Sequence, residues 1–284
     1  MRADQGRSPV PEQLAESTVD GVGYAVADAV ATLTFDKPDR SNAMDVPMQE
    51  RYGTLLRRAE ADPDIRAVVL TGTGRAFCPG ADLGLLGDIS AKPPEPTGEQ
   101  EHRGYLNVLA AALVRVPVIA AINGGCAGLG FVVACAADVR FAAAGAKFTT
   151  SFARRGLIAE YGVAKLLPEL VGRGRALDLL LSGRVFTAEQ ALEYGLVQEV
   201  VPAEELLARA RDYAGELATH SSPRSMAAIK AQIEREPALT LESSAREATA
   251  LMLDSFTWPD LAEGVASWNE RRPPEFPPFT SARH

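Results

Sequence analysis

The sequence predicts an α/β layered core, and three observations carry that reading. Apolar runs of strand length alternate with helix-like stretches through the first two thirds of the 284 residues. Two of those runs, RAVVLTG ending at Gly72 and VPVIAAI ending at Ile122, are each followed by a glycine-rich turn that leads toward a helical pattern. From Thr187 onward the pattern is helical alone.

Taken in order, Met1 to Asp20 is polar with two prolines and reads as a disordered tail. Val22 to Phe35 holds two short stretches, YAVAD and AVATLTF, that suit a hairpin or adjacent strands. Asp45 can cap a helix that begins near Pro47, where proline's fixed φ suits the first turn. After the strand RAVVLTG and the turn GRAFCPGADL, the proline-rich segment Asp88 to Gln100 reads as a mobile loop. Glu101 to Arg115 is helical in pattern, and Val116 to Ile122 is a buried strand leading into AINGGCAGLGFVVACAADV. In TAEQALEYG, Thr187 and Gln190 have the spacing of a capping box and Gly195 closes the helix. Pro202 to Ala218, Pro223 to Arg235 and Leu239 to Leu253 continue as amphipathic helices. The expected division is a tail at 1–20, a core at 21–200 and a helical assembly region at 201–284.

Composition removes several functions. Lysine and arginine number 29 against 37 acidic residues, a formal charge of −8, so no concentrated positive field is available for nucleic acid. Cys78, Cys126 and Cys135 lack zinc-ligand spacing and sit among apolar or glycine residues, which suits reduced, packed thiols. His102, His220 and His284 have no paired ligand spacing, so no metal site is expected. No stretch has signal-peptide character or the length of an apolar bilayer span, and a soluble cytoplasmic protein without membrane contact is expected. Gly124, Gly125, Gly128 and Gly130 run in the wrong order for a dinucleotide loop, and neither a P-loop nor a GxSxG elbow is present.

The two glycine turns point to a chemistry. Glycine lets the backbone turn where other residues clash, and the first turn of a helix carries unpaired N–H donors at a positive dipole end. Two such turns brought together can hold one oxygen on which negative charge develops, as in reactions at a carbonyl or thioester.

With SNAM at Ser41 to Met44, AFCPGADL, AINGGCAGLG, Asp138, SGRVFTAEQALEYGLVQEVVP from Ser182 to Pro202 and EGVASWNERRPPEF near the end, the chain resembles the crotonase superfamily, the enoyl-CoA hydratase and isomerase family, from about Tyr24 to Phe276. The resemblance implies a spiral of ββα units and C-terminal helices that pack a homotrimer or a dimer of trimers. It also implies an acyl-CoA thioester substrate, with no cofactor beyond the coenzyme A that the substrate carries. It places the oxyanion-hole amides at Ala81 and Leu129. The coenzyme A is expected along Gly80, Ala81, Asp82, Leu83 and Gly128, with the backbone near Ala76. Arg40, Arg75, Lys92, Arg154 and Arg155 are phosphate candidates by location, although a lone exposed arginine is more often just solvated.

At the two positions where hydratases of the family carry glutamates that hold a water, this chain has Val132 and Phe152, pocket-lining residues that cannot move a proton. One carboxylate, Glu160, stays in the neighbourhood, as in isomerases of the superfamily. It suits a proton shuttle that moves a double bond, with apolar surroundings raising its pKa. Glu160 also precedes a helix whose dipole would lower that pKa, so a solvated loop glutamate is the plain alternative. Tyr161 reads as packed aromatic before polar assistant, and Asp138 as a structural hydrogen-bond partner. Double-bond isomerisation leads, with 2-enoyl-CoA hydration and non-catalytic acyl-CoA binding as the alternatives.

Overall fold

Strands buried on both faces read as unbroken apolar runs, and the centre of this molecule is made of such strands. The computed structural model describes residues 14–279 except 83, 85–86, 88–90, 93–103 and 236–237. Its larger sheet joins β1 (Leu14–Val19), β2 (Val22–Ala27), β3 (Val30–Phe35) and β4 (Ala67–Gly72), then β6 (Val118–Ile122), β8 (Val139–Ala143) and β11 (Glu199–Val201), in that spatial order. A smaller sheet holds β5 (Ala76–Cys78) beside β7 (Gly125–Ala127), then β9 (Lys147–Thr149) and β10 (Phe186–Thr187).

The first three strands pair antiparallel, and from β3 through β11 the large sheet is parallel. The β2–β3 turn is Asp28–Ala29 with φ of 51° and 62°, the left-handed pair that a tight hairpin of two loop residues requires. Beyond it the chain winds as a spiral. β4, β6 and β8 each enter the large sheet and are followed by β5, β7 and β9 in the small one.

Period-two alternation divides each central strand between two cores. Val68 and Leu70 of β4, with Val118, Ala120 and Ile122 of β6, face the main core between the sheets. Ala67 and Val69, with Ile119 and Ala121, face a second core on the outer side of the sheet. Helix α1 (Val46–Ala61) packs into the main core through Met48, Tyr52, Leu55 and Leu56, and Asp45 caps it by accepting from the Met48 N–H at 3.0 Å. α2 (Ala110–Leu113) adds Ala110 and Ala111.

The next helix, α3 (Gly128–Ala136), has every residue buried, and α4 (Val163–Val171) packs on it. After α5 (Arg173–Ser182), the Thr187–Gln190 capping box opens α6 (Ala188–Glu193). Further helices are α7 (Leu206–His220), α8 (Pro223–Arg235), α9 (Leu241–Ser255) and α10 (Pro259–Glu270).

Two expected boundaries differ from the observed ones. Leu14–Val19, read as the end of a tail, pairs with β2 as an edge strand, because its backbone groups find partners that polar side chains do not advertise. The helical region beginning at 201 is not separate from the core at its start. Leu206, Ala210, Ala214 and Ala218 of α7 cover the outer face of the large sheet, with the 3–4 spacing of a buried helical stripe. Residues 88–90 and 93–100 of the expected loop, residues 1–13 and 101–103, His102 and His284 lie outside the described residues.

α8 is tied to the core by one cation. Lys230, with 9% of its side chain exposed, donates to the Asp138 carboxylate at 2.7 Å and to the carbonyls of Ala111 at 2.8 Å and Val116 at 3.3 Å. The same carboxylate oxygen accepts the Val118 N–H at 2.7 Å, so Asp138 is a structural joint where β6 begins. Replacing Lys230 by methionine leaves a carboxylate without its cation and two carbonyls without a donor. The variant is expected to lose about 2–4 kcal/mol of stability, read from urea unfolding of both proteins.

Candidate active site

The two glycine turns leave the small sheet side by side. Each first passes through a three-residue strand, β5 or β7, and these strands pair in parallel with Cys78 opposite Cys126. Parallel neighbours run out at the same end, so Pro79–Ala81 and Gly128–Leu129 emerge together. All three thiols are buried, and burial lifts those of Cys78 and Cys135 to about 12. They pack and do not react.

Contact between the turns is backbone on backbone. A Cβ placed on Gly130 would lie 2.1 Å from the Cys78 carbonyl oxygen, inside any allowed contact. A Cβ on Gly80, whose φ is +116°, would lie 3.4 Å from the Leu129 nitrogen and 3.2 Å from the Ala127 oxygen. Glycine is required at both places for different reasons, space at one and conformation at the other.

The approach brings together two turns that each carry an amide with no acceptor among the described residues. Ala81 bridges to Met44 as in a parallel sheet: the Met44 N–H donates to the Gly80 carbonyl at 2.9 Å and the Asp82 N–H to the Met44 carbonyl at 3.0 Å. In that pattern the Ala81 N–H points away from Met44, and it has no acceptor among the described residues. Leu129 is the second residue of α3, whose N-terminus has no side-chain cap. Its N–H is one of the orphan donors at the positive end of the helix.

Two asparagines not singled out in the sequence hold the first turn. Asn42, fully buried, donates through Nδ2 to the Thr73 carbonyl at 2.9 Å and the Ala76 carbonyl at 2.7 Å, while its Oδ1 accepts the Lys37 N–H. Asn123 donates to the Gly74 and Ala76 carbonyls and accepts the Gly72 N–H at 3.1 Å. The signal was present in SNAM and AINGG, where an amide side chain stands beside a turn.

Glu160 sits in the turn just before α4, its carbonyl accepting the Val163 N–H at 3.1 Å. Tyr161 and Gly162 both take left-handed φ, 49° and 75°, which swings the chain into the helix. The Glu160 carboxylate is half-buried, with Leu157, Ala159, Tyr161 and Leu109 packed into the core nearby, and it forms no hydrogen bond or ion pair among the described residues. Burial raises its pKa above the ordinary glutamate value, so the low pKa suggested by the helix dipole is not what this site has. Burial, with the Glu160 charge beside it, also raises the Tyr161 hydroxyl.

Val132 is fully buried and Phe152 is 3% exposed, so apolar side chains stand at both positions that the resemblance aligns with the hydratase glutamates. Arg40 is exposed and pairs with Asp82 at 3.0 Å, while Arg75, Lys92 and Arg155 are exposed. Arg154 is exposed as well, its Nε donating to the Ser182 carbonyl at 2.7 Å. Ala76 is 7% exposed with its carbonyl already taken by both asparagines. Leu83 lies outside the described residues. His220 is on the surface, 3.6 Å from Glu216, and no group of metal-ligating side chains occurs among the described residues.

A strand spiral with two facing amide turns defines the crotonase class of proteins. Within it, the chain belongs to the Enoyl-CoA hydratase/isomerase family, whose sequence model matches residues 25–278. It is 35% identical over 253 residues to the 1,2-epoxyphenylacetyl-CoA isomerase of Escherichia coli K12, covering 88% of this chain and 96% of that one. It is 34% identical over 259 residues to the enoyl-CoA hydratase ACTT3 of Alternaria alternata, covering 88% and 83%. Among solved structures, the enoyl-CoA hydratase of Polaromonas sp. JS666 superposes with a TM-score of 0.82 at 28% identity, covering 90% and 99%.

Two outcomes follow from this geometry. Gly130→Ala forces a methyl onto the Cys78 carbonyl and is expected to cost about 1–3 kcal/mol in thermal or urea unfolding. A carbon-detected NMR titration should place the Glu160 carboxyl above the usual glutamate value. Between the unfolded and folded pKa values the native state then binds the extra proton, so wild-type stability falls as pH rises through that window. Glu160→Gln should lack this dependence, and its stability relative to wild type should increase as pH rises from the ordinary glutamate pKa to the raised folded one.

Proposed function

We propose that the protein is an acyl-CoA enzyme that moves the double bond of an enoyl thioester. The single observation that carries this is a half-buried carboxylate, Glu160, with a raised pKa and no partner among the described residues, in a chain that has buried Val132 and Phe152 at the positions aligned with the hydratase glutamates. In this reading Glu160 removes a proton from C2 of a 3-enoyl thioester. Charge moves onto the thioester oxygen, which accepts from the Ala81 and Leu129 N–H groups, and Glu160 returns the proton to C4. Proton and charge balance without water or an external cofactor. A carboxylate whose conjugate acid titrates above its ordinary value is a stronger base, and so a better match to a weak carbon acid.

The coenzyme A portion is assigned by the same reading to Gly80, Asp82, Leu83 and Gly128, with Arg40 and the other exposed cations near the phosphates. The Arg40–Asp82 pair lies at an exposed position, so an incoming phosphate can replace the carboxylate as partner at little cost. Assembly as a homotrimer or a dimer of trimers belongs to this proposal. Leu241 and Trp268, 87% and 85% exposed, are apolar surface of the kind that such packing covers.

A second reading, 2-enoyl-CoA hydration, is favoured by the hydratase name of the relative ACTT3. It requires Glu160 alone to orient and activate water. A panel of 2-enoyl, 3-enoyl and dienoyl thioesters scored for isomer and for 3-hydroxyacyl product separates the two. The expected result is isomerisation of 3-enoyl substrates, lowered about 10²- to 10⁴-fold in Glu160→Gln with binding retained. Undiminished turnover in that variant would overturn the assignment. Rapid hydration of crotonyl-CoA favours the second reading. The acid limb of the wild-type pH–rate profile should report a group titrating above the ordinary glutamate value, because the base must start ionised.

A further inference from the structure

One charged side chain lies at the far end of the helix that supplies Leu129. Arg140 of β8 is 2% exposed, and none of its side-chain hydrogen bonds goes to a carboxylate. Its guanidinium donates to main-chain carbonyls: Nε to Leu196 at 2.8 Å, Nη1 to Ala134 and Cys135 at 3.4 Å each and to Ala137, and Nη2 to Asp138 at 3.2 Å. Ala134 and Cys135 belong to the last turn of α3, and Ala137 is its C-cap. The Asp138 carboxylate is occupied by Lys230 and the Val118 N–H. The Arg140 main chain is held as well, with its N–H on the Gln198 side chain at 2.8 Å and its carbonyl on the Gln198 N–H at 2.9 Å.

Burying a guanidinium costs several kcal/mol unless its surroundings compensate, and the carbonyls that compensate here are the negative pole of α3. A neutral side chain could fill the same space. What it could not do is oppose that pole with a permanent positive charge. α3 has nine residues, so the poles are only about 13 Å apart, and all of it is buried, where water screens little. At its other end stands the Leu129 N–H.

We infer that Arg140 is a positioning residue for the proposed enolate site: its buried charge neutralises the carboxyl end of α3 and fixes that end to β8, so the amino end meets the developing oxyanion with its positive potential undiminished. The inference rests on the oxyanion role proposed for Ala81 and Leu129. Sequence motifs do not disclose it, because VRFAA reads as a strand with one odd charge.

The test compares wild type with Arg140→Lys, Arg140→Gln and Arg140→Met in the full chain. Butyryl-CoA labelled with carbon-13 at the thioester carbonyl does not turn over in the proposed reaction, so its infrared stretch reads the polarisation applied at the hole. Wild type is expected to lower that frequency relative to free ligand, and Arg140→Lys to keep most of the shift. The two neutral variants are expected to lose much of it. Their kcat on the 3-enoyl thioester should fall roughly five- to thirtyfold with KM nearly unchanged.

Arg140→Gln keeps amide donors for the carbonyls without charge, and it serves where Arg140→Met does not fold. A folded neutral variant with the full wild-type shift and kcat overturns the inference. So does a loss in Arg140→Lys equal to that in Arg140→Gln, since charge would then not be the operative property. No shift in wild type itself sinks the oxyanion reading, a distinguishable failure.

Discussion

Close approach of two peptide backbones, with no side chain between them, is the constraint on which this structure depends. Cys78 contributes a carbonyl that leaves no room for a Cβ at position 130, and the nitrogen of Leu129 lies against Gly80. That contact follows from the parallel pairing of β5 with β7, which the spiral delivers by sending consecutive turns of chain through the same two sheets. The buried asparagine at 42 and the one at 123 then hold the first turn through the Ala76 carbonyl. The large sheet, its two cores and α1 serve this geometry by keeping the strands in register from both sides.

Charge is distributed to the same end. The surface is acidic overall, while Arg140 and Lys230 are cations drawn inside to meet carbonyls and, for Lys230, the Asp138 carboxylate. One is at the rear of α3 and the other joins α8 to the start of β6. Glu160 is the opposite case, an acid without a partner among the described residues. Its apolar neighbours favour the neutral form, and no arginine or lysine among the described residues pairs with it to pull the pKa back down. A carboxylate in that condition is poised to exchange a proton, whereas a paired one is poised to hold a shape.

The elements legible in the sequence were those written in local patterns. Asp45 and the Thr187–Gln190 pair announce helix starts because capping is a matter of neighbours three residues apart. β4 and β6 announce themselves as apolar runs because both of their faces are buried. β1 did not, since an edge strand needs only backbone partners, and the short strands β5, β7, β9 and β10 carry too few residues for any period to show. α7 is a different case. Its Leu206, Ala210, Ala214 and Ala218 stripe is the same whether it meets a sheet of its own chain or another molecule.

By itself the sequence determined family, layer architecture and chemical inventory: two glycine turns, the carboxylate of Glu160, and valine and phenylalanine at the positions that the family resemblance aligns with the hydratase glutamates. These are properties of residue type and spacing, carried by the chain before it folds. Tertiary structure alone decided that the Ala81 and Leu129 amides are both left without acceptors among the described residues, that Glu160 is half-buried and unpaired among them, and that Arg140 caps α3. The first two depend on which distant atoms are nearby, and the third joins carbonyls two to six residues from Arg140 to that of Leu196, 56 residues away. Electrostatic potential and desolvation are sums over space, and neighbours along the chain account for only a small part of either.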